Sequence, residues 1–228
     1  SQQQLNEDEE QKEEQFPQQA QQQKQEQPQH QREQGQPQNQ NQSFFPNFLT
    51  KFFKQAKLYP DDEFKKLDET CQHLVIEAEN DSTDQFFIGK CLIEGQNNFP
   101  KNVELGVKYL EKSISDRNIE STIYLCQMLY KGDIIQRDLK KAKKYLSKQL
   151  NSNDLRIFVL YGKINMKENN FIEARKYFEK ASKESDLYSM YKYGKLLFIG
   201  CGGSKNIKDS IHYLQLSADQ YYSDAECM

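Results

Sequence analysis

The sequence predicts an all-α protein: a right-handed solenoid of antiparallel helix hairpins behind a disordered N-terminal segment. Three observations carry this. A block of 32–37 residues recurs from Asp84 onward. Within it, small and large residues keep register in at least six columns. The first 42 residues, by contrast, contain 19 glutamines and only Leu5, Phe16 and Ala20 as apolar side chains. Such a segment cannot bury enough apolar surface to offset the entropy of ordering it.

Residues 1–42 are Gln-rich and low in complexity, and Pro17, Pro28 and Pro37 interrupt any long helix there. They carry eight acids and three bases. Gln-rich tracts support weak self-association. The whole chain of 228 residues has a formal charge of −3, so the remainder is near neutral. That balance lacks the basic excess of a nucleic-acid binder.

Residues 43–83 are expected to form amphipathic docking or capping helices. Phe44, Phe45, Phe48, Leu49, Phe52, Phe53 and Ala56 recur at helical spacing, which predicts a helix over 47–57. Tyr59-Pro60 breaks it, with Asp61 or Asp62 as the next N-cap. A second helix is expected over 63–79, with Phe64, Leu67, Cys71, Leu74, Val75 and Ala78 on one face.

The repeats occupy 84–228. Units start at Asp84, Ser121, Ile157 and Ser189, with a truncated fifth at Ala225. Position 5 is Ile88, Leu125, Tyr161 or Tyr193, and position 6 is small: Gly89, Cys126, Gly162 or Gly194. Further on come Gly106, Ala142, Ala174 and Ser210. Three residues after each stands a tyrosine (Tyr109, Tyr145, Tyr177, Tyr213), followed by Leu110, Leu146, Phe178 or Leu214. The two small columns allow helix A and helix B to approach closely. A single hairpin cannot bury its apolar face, so the units must stack.

These columns resemble Sel-one-like repeats, longer relatives of tetratricopeptide repeats. Ser121 to Leu150 fits that pattern without gaps through Leu125, Tyr130, Gly132, Arg137-Asp138, Ala142 and Tyr145. Ile157 to Ser189 is four residues short in its inter-helix loop, like an ordinary tetratricopeptide repeat. Arg117, Asn153, Ser185 and Tyr221 stand where the family usually has a turn glycine. The resemblance implies a tetratricopeptide-like superhelix and a scaffold or adaptor that binds a protein or peptide on its concave surface. An alternative is the non-catalytic repeat region of a larger protein, such as a protein kinase or a degradation-complex component. The start at Ser1 and the stop inside a unit point to a fragment.

By the same resemblance, positions 3 and 7 of helix A meet the ligand. Position 3 is Phe86, Ile123, Val159 and Tyr191; position 7 is Lys90, Gln127, Lys163 and Lys195. One helical turn separates the two positions, so they share a face. An apolar ladder beside a basic one suits an acidic partner with apolar side chains.

No catalytic, cofactor-binding or metal-ligating residue is expected. Gly200-Cys201-Gly202-Gly203-Ser204-Lys205 has the wrong order for a phosphate loop. His30 lies in the Gln-rich segment, and His73 and His212 are read as lacking acids or cysteines at ligand spacing. The five cysteines are scattered, odd in number and without a CxxC pair, which suits reduced thiols in the cytoplasm or nucleus. No run approaches the roughly 18 apolar residues that span a bilayer.

Overall fold

The computed structural model describes residues 58–226, and every regular element among them is helical. The Gln-rich segment and the helix expected over 47–57 lie outside the described residues. Two short helices come first, α1 (Asp61–Phe64) and α2 (Glu69–Glu77). Four hairpins follow. They are α3 (Ser82–Glu94) with α4 (Val103–Ser115), and α5 (Ile119–Lys131) with α6 (Leu139–Ser147). Next come α7 (Leu155–Lys167) with α8 (Phe171–Lys183), and α9 (Leu187–Ile199) with α10 (Ile207–Glu226).

Each A helix begins two residues before the predicted unit start, because an Asn or Asp caps it there. Asp81, Asn118, Asp154 and Asp186 each accept a backbone N–H from the first turn. Asn102 and Asp138 do the same for the B helices α4 and α6, and Asn206 accepts from Asp209 N at the start of α10. These caps satisfy donors that a helix start leaves unpaired.

The single helix expected over 63–79 is divided. Its chain leaves helical geometry at Asp68 (φ −65°, ψ 165°), whose carboxylate caps α2 through Cys71 N at 2.7 Å. That break lets Leu67 turn inward, where it is buried with Tyr59, Cys71, Val75 and Ala78 against the first hairpin. Neither Asp61 nor Asp62 caps α1; Pro60 occupies that position with no side-chain bond.

The turn between hairpins has a fixed geometry. Arg117, Asn153 and Ser185 take φ values of 61°, 57° and 63°, the left-handed region that glycine adopts without strain. At the fourth such place, Tyr221, there is no turn. Helix α10 runs straight through it to Glu226, so the fifth unit expected at Ala225 does not begin with a new helix.

The small columns do the expected work. A Cβ on Gly106 would lie 2.6 Å from Ile93 Cγ1, and one on Gly162 would lie 2.8 Å from the Phe178 ring. Ala142, Ala174 and Ser210 are fully buried. One continuous core runs through the first three hairpins, a second joins the N-terminal helices to the first hairpin, and a third joins the last two.

Candidate partner-binding face

The A helices lie side by side and touch through side chains at the edges of one face. The phenol of Tyr124 on α5 donates to Glu94 Oε1 on α3 at 2.9 Å, and Phe86 meets the Tyr124 ring edge-on at 6.1 Å. On α7, the Lys163 ammonium stands 4.0 Å from the centroid of Tyr188 at the start of α9. The Lys167 ammonium stands 4.6 Å from the Tyr130 ring on α5. Lys192 lies 5.3 Å from Tyr188 and 5.7 Å from Tyr191, and Lys195 lies 5.5 Å from Tyr191.

The result is a group of ammonium groups laid on tyrosine faces, concentrated on α7 and α9. Ring quadrupoles attract these cations, and the tyrosines hold the long side chains in place. Lys192 is 7% exposed. Burial holds Lys195 below the ordinary lysine range, because desolvation disfavours the charged form.

The residues expected on this face divide into three sets. Lys163, Lys195, Val159 and Tyr191 are half-buried on the two C-terminal A helices. Lys90 and Gln127 are exposed, and Phe86 is half-buried against Tyr124. Ile123 does not belong there: at 6% exposure it is part of the central core and offers no surface. A branched aliphatic side chain gains more from that core than from water. Tyr130, Tyr188, Lys167 and Lys192 were missed at the sequence level. Their signal was present, since Lys163–Lys167 and Tyr188–Lys192 are i, i+4 pairs that share a helix face.

The remaining candidates have structural roles. Gly200–Lys205 links α9 to α10. Its Gly202 takes φ 73° and packs on the backbone of Phe171 and Ile172, where no Cβ fits, and Ser204 O accepts from Arg175. The loop thus fastens hairpin to hairpin. His73 does have an acidic neighbour, Glu77 Oε2 at 3.3 Å, one turn away on an exposed surface. Among the described residues no group of His, Cys, Asp and Glu is arranged to hold a metal ion. Cys71, Cys91 and Cys126 are buried free thiols. Burial pushes Cys71 up to about 11, with Asp68 adding to the shift, and Cys126 up to about 12. None of the described helices is long and apolar enough to cross a membrane.

Stacked helical hairpins with a side-by-side A-helix face define a helical-repeat solenoid. The chain belongs to the Sel1-repeat family: the Sel1 repeat model matches residues 83–117, 119–148, 157–186 and 187–222, together more than half of the chain. Two solved structures are similar. A Sel1 repeat protein from Oxalobacter formigenes shares 20% identity with a TM-score of 0.58, over 78% of this chain and 52% of that one. The protective antigen c5321 of uropathogenic Escherichia coli, described as having an SLR fold, shares 21% identity with a TM-score of 0.56, over 64% of this chain and 32% of that one. The chain therefore spans about half and about a third of their lengths. No curated protein sequence matches it. Repeats of this family generally act as protein–protein interaction scaffolds.

Proposed function

We propose that the A-helix face binds an acidic peptide or protein segment, and that the chain is a scaffold or adaptor. The observation that carries this reading is the convergence of Lys163, Lys167, Lys192 and Lys195 on the rings of Tyr130, Tyr188 and Tyr191. Cations gathered on one face raise the local concentration of anionic ligands, and an extended acidic segment carries several anionic side chains. The tyrosine faces supply contact for its apolar side chains.

The probe is a fluorescein-labelled peptide of alternating Glu and Leu, followed by anisotropy. Binding should weaken as salt rises. It should fall at least tenfold in the Lys90→Glu/Lys163→Glu/Lys195→Glu protein. Unchanged affinity in that variant, or equal binding of a Lys–Leu control peptide, overturns the reading.

A further inference from the structure

The B helices carry a second charged surface, turned away from the core. On α6 the buried Ala142 and Leu146 alternate with Lys140, Lys144 and Lys148, which are exposed. Residues four apart lie one above another on a helix, so the three lysines form a stripe on its outer side. Residues 139–153 hold five lysines and no acid. Two of the five are matched by neighbouring hairpins: Lys141 pairs with Glu111 at 2.7 Å and Lys143 with Glu168 at 2.6 Å. The stripe lysines form no ion pair among the described residues.

The stripe continues on the third hairpin. Counted from the small residue Ala174, the places of Lys140, Lys144 and Lys148 are taken by Ile172, Lys176 and Lys180. All three are exposed, and Ile172, at 68%, is the most open large apolar side chain among the described residues. Lys176 stands 3.6 Å from Glu173, and Lys180 leans over the Tyr177 and Phe158 rings at 5.2 and 5.3 Å. On the first hairpin the charge is cancelled. There Lys108 pairs with Glu104 at 2.8 Å, and Lys112 donates to the Glu79 carbonyl at 2.8 Å.

We propose that this B-helix face of the second and third hairpins rests on an anionic lipid bilayer, with its lysines at the headgroups and Ile172 among them at the acyl boundary. Ammonium groups on long flexible stems are point charges that suit a diffuse field of headgroups. Recognition of a single phosphate or carboxylate favours the planar guanidinium fork, and the stripe has none. Nucleic acid fits less well. Tyr145 is half-buried and donates to Glu111, and Tyr177 is 6% exposed, so neither offers a face on which bases stack. An exposed isoleucine gains nothing against phosphates, whereas a bilayer takes its side chain out of water.

The test is co-sedimentation of the full chain with vesicles of phosphatidylcholine, either alone or with about one third phosphatidylserine. The wild type should bind the anionic vesicles at least tenfold more tightly. That preference should fade as sodium chloride rises from about 50 mM to about 500 mM. Lys140→Gln/Lys144→Gln/Lys148→Gln should bind them at least tenfold more weakly, with helical content unchanged by circular dichroism, since all three positions are exposed. Lys140→Arg/Lys144→Arg/Lys148→Arg should bind as the wild type does, and Ile172→Ser should bind more weakly without a change in salt dependence. If the glutamine variant loses helix, Lys144→Gln alone is measured and should weaken binding at least twofold. Equal binding to the two kinds of vesicle overturns the proposal, and so does unchanged affinity in the glutamine variant. Tighter binding to a DNA duplex of matched total charge would make the face a nucleic-acid surface and also overturns it. The glutamine variant should still bind the Glu–Leu peptide, and Lys163→Gln/Lys195→Gln should still bind the vesicles, so the two proposals fail separately. Loss of the peptide in the first would make the stripe an acidic-protein surface, and loss of the vesicles in the second would move the lipid to the A helices; either overturns the proposal.

Discussion

Gly106 stands so close to Gly89 that a Cβ built on it would lie 2.7 Å from the Gly89 carbonyl oxygen. Both partners of this contact are glycine. The same columns meet as Cys126 with Ala142, where the thiol reaches the Ala142 carbonyl at 3.4 Å. In the last hairpin the Ser210 hydroxyl donates to Gly194 O at 2.9 Å.

Gly106→Ala should therefore destabilise the fold, although alanine is the better helix former and occupies the equivalent position in two other hairpins. The new methyl group meets backbone on one side and buried Ile93 on the other. Overpacking of this kind costs about 1–3 kcal/mol. Urea unfolding measures it, and a neutral or stabilising result would show that the first hairpin opens without cost.

Arg117→Gly should have the opposite effect. Arg117 is exposed and sits at φ 61° in the turn between α4 and α5. A left-handed conformation costs a residue with a Cβ about 1–2 kcal/mol, and glycine returns part of that gain as chain entropy. A net stabilisation of about 0.5–1 kcal/mol is expected from the same urea experiment. Unchanged or lower stability would mean that the arginine side chain contributes as much as the turn loses.

Acid should weaken the N-terminal end through its helix caps. Asp68 is held below the ordinary carboxylate value of 3.8 by the Cys71 N–H and thiol and by the Asn98 amide. Asp81 is held low by the N–H groups of Asp84 and Thr83. A carboxyl depressed in the folded state adds stability above its unfolded pKa and loses it as pH falls through the folded one. Asp84 is shifted upward by burial and by Asp81, and so works against them near neutral pH. Asp68→Asn/Asp81→Asn keeps both caps but removes their titration. Its unfolding free energy should vary less below pH 4 than that of the wild type, as followed by circular dichroism. Equal slopes in the two proteins would exclude the caps as the acid-sensitive groups.

Much of the architecture was readable from spacing alone. The two small columns and the tyrosine column specified the hairpins, their order and their stacking, because close helix packing leaves few residue types acceptable at a contact. The Asn and Asp caps recur at the same intervals and could have set the helix starts to the residue. The short third unit was equally legible: its inter-helix loop is only the three residues between Lys167 and Phe171.

Other features depended on neighbours distant in sequence. Positions 3 and 7 repeat faithfully, yet Ile123 is core while Val159 and Tyr191 stay at the surface. Burial there depends on what the adjacent hairpins place over each side chain, and that varies from junction to junction. The lysine–tyrosine cluster arises in the same way, from α5, α7 and α9 coming together. By itself the sequence determined the repeating unit, since 3.6-residue periodicity and close packing are local demands. Only the tertiary structure decided which copy of each repeated position stays at the surface. It also decided that the last hairpin, ending in an unbroken helix, leaves Phe198, Ile207 and Ile211 exposed where the equivalent residues of the other hairpins are covered.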